Sequence, residues 1–479
     1  MSTAYTEFYV QGTAGDNLCP GDTTANSAAF TYINAVSTAS WNSATGVFTV
    51  ASGNPSTDGI LADGTRFVSI YTTSGATVAT FVARVTAVSS TTITTSLTAY
   101  SGTIPTTDAT GALTLKYGGA WKGPNGATGF PFNFVDGIMT NSSNNAVRVN
   151  FNGTFNITAG MTHNIVRGST TWRGYSSTVG DAGYTTIDGG TTGASYALLT
   201  IGSSTVDQKF ENFIFQNNGA TGSADGVLSS GGAEQSFVNC IFSNFRRSGL
   251  NFQGNCAAVS CEAFACQASN TSGYGGFTAL GSGCAIVACV SHDHVGGSNA
   301  NGFTTNAAVT LFRCIAANNT GHGFRCDQNE IVEVHNCDAY NNTGSGINIT
   351  TTTPACVVIT NCNLFKNGGT GIAIANPTTN WNNGVITNCC FGSGTQANTS
   401  GNITSGMQGI IEQNSITFPS NLTPWKNPGS GDFRTTSQTA LTGGYNVFTQ
   451  TMAAYGGTSA SIGIGACRAY PTNYHGTCF

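Results

Sequence analysis

Apolar positions between about residues 210 and 391 recur in one short phrase, repeated eight times. One copy reads IVEVHNCDAYNNTGSG from Ile331. Others read VTLFRCIAANNTGHG from Val309, VVITNCNLFKNGGTG from Val357 and QSFVNCIFSNFRRSG from Gln235. A cysteine marks the same place at Cys240, Cys261, Cys289, Cys314, Cys337, Cys362 and Cys389, in steps of 21, 28, 25, 23, 25 and 27 residues, and Phe213 holds it in the first copy. Such a period means one supersecondary unit per copy, stacked on its neighbours. Three residues before this column stand only apolar residues, from Phe210 and Phe237 to Ile359 and Ile386. Two residues after it stand mostly apolar ones, such as Phe215, Phe242, Ala316 and Leu364.

Alternation on each side of the column predicts strands with one buried face. A step of three between the two inward sets would flip the face of a single strand, so a bend is expected between them. Asn212, Asn239, Asn336, Asn361 and Asn388 stand just before the column, and asparagine tolerates the left-handed backbone that a tight corner needs. A third strand is expected at pairs such as Leu250 and Phe252, Phe324 and Cys326, Ile347 and Ile349, and Ile372 and Ile374. Three short strands per turn predict an all-β chain wound as a right-handed parallel β-helix, the hand following from the rule for parallel crossovers. From Val147 to about Phe418 there is room for roughly 11 turns, about 50 Å at ~4.8 Å each.

These residues resemble the pectate-lyase-like superfamily of right-handed β-helices, and among them phage-encoded β-helix spike and fibre proteins. The resemblance implies the fold; function it implies less directly, because one coil serves lyases, hydrolases, adhesins and spikes. FYVQGTAGDNLCPGD from Phe8 resembles the opening of such chains, and GDFR from Gly431 with SIGIGACRA from Ser461 resembles their closing segment, with Ser461 where an acidic residue is usual.

Around the coil the expected parts are an N-terminal strand and cap over 1–45, a small antiparallel β module over 46–118, a linker and cap helix over 119–146, the β-helix over 147–420 and a closing segment over 421–479. The module rests on Val-, Ile- and Thr-rich runs such as TVATFVARVTAV. Short helices are expected within ANSAAFTYINAV, from Ala25, and near Phe134 to Met139.

Charged residues make up only 8% of the chain, against about 25% in ordinary domains. That argues against nucleic acid as a partner. No apolar run reaches the roughly 20 residues of a membrane span, and MSTAYTEFYVQG shows no leader pattern. A particle assembled in the cytoplasm and later released, a virion, is the expected setting. Sixteen cysteines first suggest disulfides, but seven fall in the inward column and act there as small hydrophobes. Cys256 and Cys284 form a second inward set, Cys467 and Cys478 are the candidate bridge, and Cys19 is a candidate link between chains.

Candidate chemistry is sparse. GHG at Gly321 to Gly323 resembles a polygalacturonase triplet, but GSG at Gly344 and GTG at Gly369 fill the same slot, and the accompanying aspartates and Arg-x-Lys are missing. His292, Asp293 and His294 have metal or acid–base potential, or form a plain solvated loop. Asp327, Glu333, His335 and Asp338 are the patch best placed for catalysis or glycan binding, with a solvated acidic face as the alternative. No metal or cofactor is expected. The expected function, as the resemblance implies, is a homotrimeric virion spike, fibre or decoration protein. It would join other virion proteins through its N-terminal region and show loops to host surface polysaccharide. A tailspike-type polysaccharide hydrolase or lyase is the alternative.

Overall fold

Gln235–Val238 alternates buried and half-buried positions, and the same pattern recurs at Cys256–Val259, Cys284–Val287 and Val309–Phe312. These strands pair in parallel and in register, so Phe237, Ala258, Ile286 and Leu311 stack in one inward column. Alternation thus becomes a sheet with one dry face, each fully buried Leu, Ile or Phe contributing about 2 kcal/mol.

The structure, a computed structural model, describes residues 6–11, 31–34, 40–50, 53–56, 67–72, 80–110, 113–117, 147–157, 160–163, 170–190, 197–202, 207–218, 224–230, 234–266, 273–327, 331–350, 356–374, 384–403, 410–418, 425–428, 432–435, 445–446 and 451–452. The chain forms two compact units, residues 1–188 with 205–213, and residues 189–204 with 214–479.

In the first unit, Thr6–Gln11 lies parallel to Val147–Asn152, which pairs with Thr170–Tyr175, and that strand with Gln208–Glu211. Phe151, Phe155, Trp172, Phe210 and Phe213 fill the interior of these turns, and the Trp172 indole donates to Gln208 Oε1 at 2.8 Å. The same unit holds a small antiparallel sheet of eight strands, in chain order from Thr31–Asn34 to Leu113–Tyr117, with Trp41, Phe48, Ala83, Val85 and Ile93 buried. Thr31–Asn34 was expected in a short helix and instead pairs with Leu113–Tyr117. Its Thr-Tyr-Ile-Asn alternation and the free edge of that neighbour outweigh local helix propensity. The helix expected near 134–139 lies outside the described residues.

The second unit is the regular coil. Its first sheet runs from Gln235–Val238 to Ile410–Gln413, its second reaches Ile416–Thr417, and its third runs from Leu199–Ile201 to Ile372–Ile374. Counted along the chain from Val147, eleven strands hold the first-sheet place and nine turns carry all three strands. Complete turns are therefore slightly fewer than the roughly 11 expected, because the last two lack a third strand among the described residues. On the third sheet Phe277, Phe303 and Phe324 stack ring on ring, 5.3 and 5.0 Å apart.

The seven cysteines of the column are buried and unbridged, as are Cys256 and Cys284. Each thiol of the column points at backbone, as Cys314 Sγ does at Ile286 O, 3.3 Å away. Burial raises the thiol pKa at Cys289, Cys337 and Cys389 and pushes it up to about 12 at Cys266 and Cys326. Cys19, Cys467 and Cys478 lie outside the described residues. The whole column is shut off from solvent and buried thiols are inert, so native protein treated with an alkylating reagent is expected to leave the column unmodified, whereas denatured protein takes up label at every position. Mass spectrometry of peptides reads this directly, and rapid native labelling of Cys314 or Cys337 would contradict the packing.

Candidate functional site

The second sheet is framed by two left-handed corners. The first holds Asn212, Asn239, Asn336, Asn361 and Asn388 at φ between 52° and 60°, with Ser260, Ala288 and Arg313 in the same conformation. The second, four residues after the cysteine place, holds Asn217, Asn244, Ala265, Asp293, Asn318, Asn341 and Lys366 at φ 51° to 59°. Sequence reasoning missed this corner. Its signal lay in the doublets Asn318-Asn319 and Asn341-Asn342.

The residue after the second corner turns inward. Asn319, Asn342, Asn367 and Asn398 form a buried ladder. Asn319 Nδ2 donates to Asn342 Oδ1, Asn342 Nδ2 to Asn367 Oδ1 and Asn367 Nδ2 to Asn398 Oδ1, each at 2.9 Å. Each Oδ1 also accepts the backbone N–H of the preceding ladder residue.

His294 occupies the preceding place in this ladder and is 0% exposed, so it is no solvated loop residue. Its Nδ1 accepts the Cys266 N–H at 3.0 Å, which places the ring proton on Nε2, facing Ser291 Oγ at 2.9 Å. The Ser291 hydroxyl donates onward to Gly302 O at 2.7 Å. Burial, helped by the charge of His292, pushes the His294 pKa down to about 3. The unfolded chain takes up this proton near pH 6.5 while the fold resists it. Stability from this group is therefore complete above pH 6.5 and is lost as pH falls towards 3. At pH 5 the loss is about 2 kcal/mol. His294→Asn, which restores the ladder residue, is expected to flatten the stability profile between pH 6.5 and 4. Denaturation midpoints across that range test it, and parallel profiles for the two proteins would refute the assignment.

His292 faces outward on the same sheet. Its Nε2 meets Glu262 Oε1 at 2.8 Å and its Nδ1 meets Asp293 Oδ2 at 2.7 Å, with Phe264 stacked beneath at 5.5 Å. Burial opposes protonation, but the bonds and charges of Glu262 and Asp293 outweigh it and raise the pKa. Its linkage runs opposite to that of His294: the stabilisation is full below pH 6.5 and fades as pH rises through the raised value. One imidazole held between two carboxylates can hand a proton to a bound molecule.

The four residues singled out from the sequence are not brought together. Glu333 and His335 lie on the first sheet, where Glu333 Oε2 accepts from Thr310 Oγ1 at 2.7 Å and His335 Nδ1 meets Thr360 Oγ1 at 2.8 Å. Asp327 follows the third-sheet strand Phe324–Cys326, bonded to Arg325 Nε at 2.7 Å and Thr350 Oγ1 at 2.5 Å. Asp338 starts the second-sheet strand Asp338–Tyr340 and is 0% exposed. Asn363 Nδ2 donates to one of its oxygens at 2.8 Å and the Trp425 indole to the other at 3.1 Å. The outward position of Asp338 is thus covered by the C-terminal segment, where Trp425 and Phe418 pack on Ile315, Ala317, Tyr340, Phe365 and Cys390. A sugar has no access to that carboxylate, and this corrects its reading as a candidate acid.

His322 of the GHG triplet accepts the Ser345 N–H at Nδ1, 2.9 Å away, and its Nε2 lies 3.0 Å from the Asn348 amide. Burial, with Arg325 beside it, pushes its pKa down to about 4, so the ring is neutral. A Cβ at Gly323 would stand 2.6 Å from Gly346 O, so stacking of the turns requires the glycine. In the turns that lead into the third sheet Arg247 forms an ion pair with the buried Asp225, which also accepts from Asn251 Nδ2 and Ser248 N, both at 3.0 Å. Among the described residues no cluster of three His, Cys, Asp or Glu side chains has the geometry to hold a metal ion, and no helix is long and apolar enough to cross a membrane.

Residues 184–389 match the family described as right handed beta helix region. No curated protein matches the chain. Similar solved structures include pectate lyase Pel9A, 14% identical over 67% of this chain and 88% of that one, with a TM-score of 0.45. ORF18 of Geobacillus virus E2 is 11% identical over 61% of this chain and 58% of that one, with a TM-score of 0.33. The tailspike protein gp49 from Pseudomonas phage LKA1 is 14% identical over 87% of this chain and 71% of that one, with a TM-score of 0.24.

Proposed function

We propose that this chain is a structural protein of a bacteriophage virion, a homotrimeric β-helix spike, fibre or decoration that shows polar loops to host surface polysaccharide. The observation that carries the mechanical part is the double lattice inside the coil. Asparagine amides and inert thiols tie each turn to the next without a bridge that a reducing cytoplasm would break. The uneven steps of 21 to 28 residues fall in the loops and leave the strands in register. A stiff coil with variable loops follows. The virion setting rests on the sequence resemblance to phage spikes and on a surface with few charges. The eight-stranded sheet of the first unit is the part proposed to join other virion proteins. Peptide mass spectrometry of purified particles tests the reading, and particles that infect but lack this chain would end it.

A second reading, a polysaccharide depolymerase, is favoured by one cluster only, Glu262 with His292 and Asp293. Reducing ends released from host capsule by the wild-type protein and not by Glu262→Gln would move the assignment to this reading.

A further inference from the structure

We propose that the outward face of the first sheet, from Gln235–Val238 to Ile410–Gln413, is where one copy of this chain meets another; the inference rests on the three-copy reading above. Two columns of side chains stand on this face. One begins Val238, Val259, Val287, Phe312, and the other ends Val358, Val385, Ile411, each stacked in register. Five large hydrophobics are exposed among the described residues, and three of them are on this sheet: Ile331 at 44%, Val385 at 37% and Ile411 at 55%. A surface this poor in charge has little else to keep such stripes apart in solution.

The second sheet shows how the fold treats equivalent positions. There Ile315, Tyr340, Phe365 and Cys390 also point outward, and the chain covers them with its own Trp425 and Phe418. On the first sheet Val385 and Ile411 stay exposed instead.

The charges between the stripes identify the cover. Arg313 is half-buried, its guanidinium 5.2 Å above the Phe312 ring, and it has no carboxylate partner among the described residues. Glu333 lies one turn further on and bonds only to Thr310, through one of its two oxygens. The cation at the corner beside Phe312 and the acceptor opposite Thr310 are offset by ~4.8 Å along the coil and ~10 Å across it, and they complement each other across two copies of one face. Aliphatic ends with a balanced charge pair between them suit a protein surface of the same composition. Arg313 of one copy therefore pairs with Glu333 of the next, and the valine and isoleucine columns close on each other above and below.

The test measures the mass of the full chain in solution by light scattering, for wild type, Arg313→Glu, Glu333→Arg and the double exchange, with Val385→Lys as an independent variant on an exposed position. Each single change, and Val385→Lys, is expected to drop the protein to single-chain mass, and the double exchange to restore association. A wild type that is already a single chain overturns the face and the three-copy reading together. Unchanged association in all variants leaves the three-copy reading standing and removes this face from it. A double exchange as dissociated as the single variants also overturns the Arg313–Glu333 pairing.

Discussion

Asn342→Ala is expected to cost on the order of 4 kcal/mol, more than most single changes in a protein of any size. The loss comes from what the side chain leaves behind. Asn342 Oδ1 accepts from Asn319 N–H at 3.2 Å and from Asn319 Nδ2 at 2.9 Å, while its Nδ2 donates to Ala316 O at 3.0 Å and to Asn367 Oδ1. All of these groups are buried. At about 1–3 kcal/mol for each group stranded without a partner, the carbonyl of Ala316 and the amide of Asn319 account for most of the figure. The natural control is next door. The Asn341 side chain, among the described residues, bonds across the turns to Asn318 Oδ1 alone, at an exposed position. Asn341→Gly keeps the left-handed corner available and is expected to stay within about 1 kcal/mol of wild type. Urea unfolding of the three proteins measures both effects. Equal midpoints for Asn342→Ala and Asn341→Gly would mean that the ladder is decoration on a coil held by its apolar columns.

The other large effect concerns the C-terminal segment. In Trp425→Ala, Cys390 is expected to become open to alkylating reagents while the cysteine column stays closed. Trp425 donates to the buried Asp338 carboxylate at 3.1 Å and packs edge-on against Tyr340 and Phe365, with centroids 5.6 and 5.0 Å away. Truncating a buried aromatic costs about 3–5 kcal/mol, and here it also strips a donor from a carboxylate already out of water. The local cost exceeds what a short antiparallel pair of strands, Trp425–Asn427 with Asp432–Thr435, can supply in return. The segment is therefore expected to lift while the coil beneath survives. Trp425→Phe retains most of the packing and loses only the indole bond, so it should label at an intermediate rate. Native labelling at Cys390 that is no faster in Trp425→Ala than in wild type would show that the segment is held elsewhere.

The coil was legible because its informative residues repeat. Eight cysteine or phenylalanine places, five corner asparagines and an unbroken apolar column give strand direction, face and turn length without any long-range information. The inner ladder was not, because its place is filled by Phe245, Cys266 and His294 before the asparagines begin at Asn319. A column that changes chemistry along its length has no compositional signature, and His294 was read with the exposed loop around His292 for that reason. Asp338 was placed on the correct side of its strand, but the residue that buries it lies 87 positions later in a segment with no period. Local rules fix which way a side chain points; what comes to rest on it is set by distant chain.

The matching sockets of the asparagine ladder bear on how such a rod changes length. Asn319, Asn342 and Asn367 offer the same donors and acceptors forward and backward, at spacings of 23 and 25 residues. A gene segment duplicated between two of them would fuse in frame with both seams already satisfied, adding one layer and about 4.8 Å of reach. Deletion of one such segment would close equally well. Reach can therefore evolve in whole layers, like beads added to a string, without redesign of either end.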